Sequence, residues 1–203
     1  PLTLFSLGID YQIWGLNPLG YHLTNIIFHA LNTFLVFVLV TMLFDSFYNK
    51  NKVDSKGIIA AAVTALLFGI HPLHVESVAW VSERKDVLYS FFYLSAVLAY
   101  IKYASANSKK IKIKYYIFCL CLFILSLLSK PMAVTLPIVF LILDYCPLKR
   151  IIRGTVEGNL IIEKVPFFAL SLAFSIVTVY GQVAGETIGS LESFPLSHRI
   201  FAA

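Results

Sequence analysis

The sequence predicts an all-α fold: a multi-pass transmembrane helical bundle of about six spanning helices, with an interfacial helix in one of its loops. Three observations predict it. Apolar residues make up 59% of the 203 residues and charged residues only 13%, where a soluble domain carries about a quarter charged. The apolar residues come in blocks, several of which approach the ~20 residues needed to cross a bilayer. The lysines and arginines cluster in short segments between those blocks, as in cytoplasmic loops of membrane proteins. That clustering, and not nucleic-acid binding, accounts for the net charge of +5.

The first block runs from about 20 to 44 and has no Lys, Arg, Asp or Glu. The second covers 57–70 and extends toward Val75; the third covers 87–103. Blocks four (115–128) and five (132–146) are short, and the sixth runs from about Pro166 to Ala184. Blocks four and five read as a hairpin and not as one long helix. Ser129-Lys130-Pro131 interrupts them, and proline disfavours helical geometry at the residue before it. Cys119 and Cys121 lie within block four and Cys146 ends block five, so all three read as small apolar residues and not as a disulfide or metal set. Gly181, Gly185 and Gly189 are weak helix-packing signals.

Six crossings place the loops after blocks one, three and five on one face. These carry Lys50, Lys52 and Lys56, then Lys102, Lys109, Lys110, Lys112 and Lys114, then Lys149, Arg150, Arg153 and Lys164. Only Arg84, Lys85, Lys130 and Arg199 fall on the other face. The bias assigns the first face to the cytoplasm. Residues 1–19 and the loops around 71–86, 129–131 and 185–199 are then expected to face outward or into a lumen. Tyr11, Trp14 and Trp80 suit the aromatic belt at that interface.

Candidate chemistry concentrates in the outward loops. The segment from His71 to Asp86 packs His71, His74, Glu76, Glu83, Arg84, Lys85 and Asp86 into a mostly apolar chain. Ionisable groups at membrane depth cost ~2.5–3.5 kcal/mol each on insertion scales, so these belong at the interface, in a cavity or in pairs. A short amphipathic helix here would turn Val75, Val78, Ala79 and Val81 toward lipid and Glu76, Glu83 and Arg84 toward water. It reads either as an interfacial helix with self-paired charges or as a carboxylate and cations facing an anionic lipid-linked substrate. His71 and His74 are three apart, a spacing that could hold a metal, but the H-E-x-x-H pattern is absent and Pro72 lies between them; hydrogen-bonding histidines are the better reading and no metal is expected. Lys130 reads either as a snorkelling loop lysine or as a phosphate contact. His22, Asn25, His29 and Asn32 recur on one face of block one and are expected to line a helix interface or cavity.

The motifs taken together resemble a known family. They are Pro1-Leu-Thr-Leu, Asp10-Tyr, Trp14-Gly-Leu-Asn-Pro-Leu-Gly-Tyr-His-Leu-Thr-Asn25, His29-Ala-Leu-Asn32, the 71–86 segment, Ser129-Lys-Pro-Met-Ala-Val-Thr-Leu-Pro137 and Asp144-Tyr145. Over residues 1 to about 150 the chain resembles the membrane half of the transmembrane and tetratricopeptide-repeat proteins, which are similar to protein O-mannosyltransferases and are of the GT-C type. The resemblance implies transfer of a sugar, mannose, from a polyprenyl- or dolichyl-phosphate donor to a protein Ser or Thr on the lumenal or periplasmic face. A carboxylate would act as base on the hydroxyl, and cations would hold the departing lipid phosphate. Glu76 and Asp10 are the carboxylates this implies for the site. Arg84, Lys85 and Lys130 are the phosphate-contact candidates, and His71, His74 and His22 are further polar candidates. No cofactor is expected; the implied partners are the lipid-linked donor, an acceptor protein and the bilayer.

The resemblance also implies that the family's first helix, the acidic early part of its first loop and its C-terminal repeats lie outside 1–203, so this chain is expected to be a partial GT-C-like membrane domain, inactive alone. The membrane is expected to be a bacterial plasma membrane or that of the endoplasmic reticulum, with short loops and no outward glycosylation sequon favouring the former. A non-catalytic membrane scaffold anchoring a repeat domain is the alternative function. A transporter fits less well, since the charges lie at block ends and not near the midplane.

Overall fold

The computed structural model describes residues 1–48, 55–150 and 160–184. Gly185, Gly189, the 185–199 loop and the basic residues Lys50, Lys52, Arg153 and Arg199 lie outside the described residues. All regular structure among the described residues is helical: α1 (Leu2–Trp14), α2 (Pro18–Tyr48), α3 (Ser55–Ile70), α4 (Val75–Ala79), α5 (Arg84–Ser105), α6 (Lys109–Ser129), α7 (Leu136–Tyr145) and α8 (Leu160–Ala184). Short 3-10 turns at Pro72–His74, Val81–Glu83 and Pro131–Thr135 lead into α4, α5 and α7.

Among the described residues, four helical stretches are long and apolar enough to cross a membrane: Pro18–Phe47, Val81–Ser105, Lys109–Ser129 and Leu160–Ala184. A fifth candidate is α3 together with Pro72–Ala79, bent by 50° at His71. Block five forms the shorter apolar stretch Pro131–Tyr145. The helices overrun the apolar blocks. Lys109, Lys110, Lys112 and Lys114 are inside α6, which makes block four 21 residues long and not short. Lysine stems can lie along an apolar surface while the ammonium reaches water, so a helix does not end where its lysines begin.

The core forms where α5 packs along α6, with α7 against α5 and α8 against α6 and α7. Tyr100 stacks on Phe140 with ring centroids 4.1 Å apart, and Phe167 of α8 meets Phe140 edge-on at 5.2 Å. Around this core the outer surface is apolar: Leu66 and Leu67 of α3 and Ile161, Val177 and Tyr180 of α8 are all exposed. Water would oppose so much contiguous apolar surface, whereas lipid accepts it. The protein is an integral, multi-pass membrane protein. Gly181 has open space where a Cβ would stand, so it packs against no described helix. Cys119, Cys121 and Cys146 are free thiols.

The hairpin of blocks four and five is fixed by two contacts with α5. Lys130, after α6, pairs with Asp86 in the first turn of α5, while Asp144, at the end of α7, accepts a hydrogen bond from Tyr100 near its last turns. The chain therefore reverses at Lys130, which is extended (φ −149°, ψ 133°) before Pro131.

Residues 1–19 differ from the expected loop. Residues 2–14 form α1, with Leu4, Phe5 and Ile13 outward and Asp10 buried. Its polar side is turned into the protein, the reverse of a water-facing helix. At 13 residues it is roughly 20 Å long, too short to span. The turn into α2 depends on two glycines. Gly15 has φ +59°, a region that favours glycine, and a Cβ on Gly20 would meet the Trp14 ring at 2.1 Å.

Candidate functional site

The polar stripe of α2 assembles one end of the bundle. Asn25 and Asn32 are fully buried in a largely apolar surrounding, so their amides must find partners. Asn25 Nδ2 donates to the carbonyls of Val78 and Trp80 at 3.3 and 3.2 Å, Asn32 Nδ2 donates to the Val87 carbonyl at 2.8 Å, and His29 Nε2 lies 2.9 Å from the Gly69 carbonyl. The Gly69, Val78 and Trp80 carbonyls belong to the ends of α3 and α4 and the break after them, where helical partners are missing, whereas the Val87 carbonyl lies in the first turn of α5. The stripe thus straps the whole 69–87 segment to α2, which is the helix-interface role its spacing predicts.

Arg84 is the centre of that end. The guanidinium is fully buried, forms an ion pair with Asp10, and donates from Nε to Asn25 Oδ1 at 2.8 Å, from Nη2 to the Tyr21 carbonyl at 2.8 Å and from Nη1 to Ser6 Oγ at 3.2 Å. Thr24 Oγ1 donates to Asp10 Oδ1 at 3.1 Å. This corrects the water-facing position expected of Arg84. As the first residue of α5, and not a member of the interfacial helix, it points into the protein, and its donors are taken up by α1 and α2.

The remaining candidates lie around this anchor. Lys130 pairs with Asp86, whose other oxygen accepts from Ser77 Oγ at 3.4 Å, and both charged side chains keep contact with the surface. Lys85, more exposed, lies 3.0 Å from Glu83. Glu76 is exposed on α4, away from the Arg84 network, so the structure does not bring it together with Asp10. The expected amphipathic helix is reduced to the five residues of α4, with Val75 exposed.

Three predicted histidines converge. His22, His71 and His74 line, with His29, an open cavity of about 490 Å³ whose remaining wall is apolar, from Ile26, Ile70, Val75 and Val78. The rings of His29 and His74 are 5.6 Å apart and those of His71 and His74 6.1 Å. His71 Nδ1 accepts from the Leu73 amide at 3.3 Å, which makes it unprotonated and leaves Nε2 to carry the proton of the neutral ring. Burial, then the neighbouring His29 and His71, lower the pKa of His74, which favours its neutral ring. The cavity offers imidazole hydrogen-bonding groups over an apolar wall. Among the described residues no three His, Cys, Asp or Glu side chains form a metal-binding group.

A second buried polar cluster closes the opposite end of the bundle. Asp144 accepts from Tyr100 at 2.7 Å and from Arg150 Nη1 at 3.1 Å, and pairs with Lys164. Arg150 Nη2 continues to Glu163 at 3.2 Å. Lys164, expected in a basic loop, is instead buried in the second turn of α8. An Asp ending one apolar segment and a Glu-Lys pair opening the next were the signal in the sequence: charges there need partners.

The matches to known proteins agree with the motifs. The chain is 36% identical to human protein O-mannosyl-transferase TMTC3 over 102 residues, which is 50% of this chain and 10% of the relative. It is 38% identical to human protein O-mannosyl-transferase TMTC2 over 107 residues, 53% of this chain and 12% of the relative. It is 32% identical to protein O-mannosyl-transferase F38B6.6 of Caenorhabditis elegans over 142 residues, 68% of this chain and 18% of the relative. The matches thus span between about a tenth and a fifth of these relatives' own lengths. No family model matches the chain, and no solved structure matches it. The chain is thus a multi-pass helical membrane protein similar, over about half its length, to the TMTC protein O-mannosyl-transferases.

Proposed function

We propose that the chain is part of a membrane glycosyltransferase that moves a sugar, mannose, from a polyprenyl- or dolichyl-phosphate donor to a Ser or Thr hydroxyl of a protein. The reaction takes place at the end of the bundle that holds Asp10, Glu76, Arg84 and Lys130. By the bias of basic residues this end faces the lumen or periplasm, in the membrane of the endoplasmic reticulum or the plasma membrane of a bacterium. The observation that carries the reading is the strapping of the 71–86 segment to α1 and α2 through Arg84, Asp10 and Asn25, which gathers surface-reaching cations, a free carboxylate and an open, histidine-lined cavity at one end.

The roles divide by exposure. Lys130 and Lys85 reach the surface and supply positive charge for the lipid phosphate, whose negative charge grows as the sugar leaves. Arg84 and Asp10 neutralise each other and act as positioning residues that hold the start of α5. Glu76 is the carboxylate free to accept a proton from an acceptor hydroxyl. His22, His71 and His74 give the cavity hydrogen-bonding imidazoles suited to hydroxyl groups.

The mutual neutralisation of Arg84 and Asp10 also favours a second reading, a non-catalytic scaffold in which this end is purely structural. Reconstitution separates the two. The full-length protein in liposomes, given radiolabelled dolichyl-phosphate-mannose and a Ser/Thr-rich acceptor peptide, is expected to label the peptide. Glu76→Gln is expected to abolish labelling while leaving the protein folded. A folded wild-type protein that transfers nothing supports the scaffold.

A further inference from the structure

The end of the bundle opposite Arg84 carries an apolar groove with positive charge at its edge. The groove, about 360 Å³, lies between α2, α5 and α6 and is walled by Val38, Phe91, Leu98, Phe118 and Leu122, with Ser95 on its floor. Lys102 and Tyr115 also line it, the ammonium 5.9 Å from the Tyr115 ring centroid. On α5 the lining positions Phe91, Ser95, Leu98 and Lys102 follow one helical stripe, apolar for most of its length and cationic at its end. On α6 the stripe through Tyr115, Phe118 and Leu122 runs back one turn to Lys112 and Lys114. The groove therefore presents hydrocarbon along its length and ammonium groups at one end.

Among the described residues no carboxylate neutralises those ammonium groups. Among the described residues, Lys102, Lys109, Lys110, Lys112 and Lys114 make no ion pair, whereas Lys85, Lys130 and Lys164 each meet a carboxylate. The first turn of α6 likewise contains no acidic residue. Five cations on adjoining ends of two helices set up an attraction for anions that no described carboxylate cancels. The cation lies at the end of a membrane-embedded groove, so its complement is amphiphilic: a negative headgroup on a hydrocarbon chain. Basic pockets between transmembrane helices are suited to such headgroups.

We propose that this groove binds one anionic phospholipid of the surrounding leaflet, with an acyl chain between Phe91 and Phe118 and its phosphate at Lys102 and Lys114. The site is separate from the proposed transfer site, at the other end of the bundle, and its test does not depend on transferase activity.

Native mass spectrometry of the protein purified in a neutral detergent, titrated with phosphatidylglycerol or phosphatidylcholine of matched chains, reads the site directly. The wild type is expected to retain one phosphatidylglycerol with about tenfold or greater preference over phosphatidylcholine. Lys102→Gln with Lys114→Gln, at exposed positions where folding is not at stake, is expected to remove most of that preference. Ser95→Trp, which fills the groove and keeps the charges, is expected to reduce retention of both lipids. Equal retention of the two lipids by the wild type overturns the proposal. So does a preference that survives the double lysine substitution, or one unchanged by Ser95→Trp in a protein that still elutes as folded, because attraction would then be diffuse and independent of the groove.

Discussion

The two ends of the bundle both bury an ion pair, yet they are finished differently. At the Asp144 end, two carboxylates and two cations meet in one cluster in which every charge is paired, with Glu163 at the surface, and the Tyr100 hydroxyl fills a remaining acceptor position. At the Arg84 end, the pair with Asp10 is similarly buried, but around it Lys130, Asp86, Lys85 and Glu76 keep contact with the surface and four histidines line an open cavity. Charges inside a membrane protein that satisfy one another hold helices together. Charges that do so and still leave neighbours accessible can also hold a substrate. On the function proposed above, chemistry belongs to the Arg84 end, and the Asp144 end is architecture.

The sharpest way to break the contrast is to remove a buried partner at each end. Asp144→Ala leaves both Arg150 and Lys164 without their shared carboxylate, and a loss of about 3–5 kcal/mol is expected, visible as a collapse of thermal stability in detergent. Arg84→Ala strands Asp10 and releases Asn25 and Tyr21, with a loss of similar order and abolished transfer in the full-length protein. The paired variant Asp10→Asn with Arg84→Met removes both charges together, and its loss of stability should be smaller than the sum of the single losses. Full additivity would show that Arg84 and Asp10 are not coupled.

Lys130→Ala probes the accessible shell of the same end. Its pair with Asp86 is partly exposed, so removing it should cost no more than about 1 kcal/mol. Transfer should nevertheless fall by about a hundredfold or more, since Lys130 is assigned to the charge that develops on the phosphate. A variant with normal activity would move the phosphate to other groups and leave Lys130 as part of the hairpin turn.

Much of this contrast was legible in the sequence. The apolar blocks gave the spanning helices, Pro131 gave the reversal at Lys130, and the three- and four-residue steps of His22, Asn25, His29 and Asn32 gave the interface face of α2. The burial of Arg84 was not legible, because its partners come from α1 and α2 and only the assembled tertiary structure brings them close. A trace was present: Thr3, Ser6 and Asp10 fall at helical steps within an otherwise apolar stretch, which marks a helix with an inward polar side. Lys164 was misplaced because the apolar block was taken to begin at Pro166. The helix begins at Leu160, and an ammonium can be buried there only because Asp144 waits across the bundle. The depth of a charge in a membrane protein is set by its partner, and pairing distance in sequence hides the partner.

The smallest expected effect concerns the histidines, where the open end differs most in kind from the closed one. His74 contacts Phe68 at 4.4 Å between ring centroids and faces His29 and His71, with no carboxylate among the residues lining the cavity. Its lowered pKa means that the folded state prefers the neutral ring. Between the folded pKa and the ordinary value of about 6.5 the unfolded chain binds the extra proton, so stability is full above that value and falls as pH drops through the folded pKa. Melting temperature is therefore expected to be flat from pH 8 to 7 and to decline toward pH 5. His74→Gln, which keeps a polar group and cannot charge in this range, should flatten the decline; Lys164→Met at the closed end should not. An unchanged pH profile in His74→Gln would show that the cavity tolerates a protonated imidazole at this position.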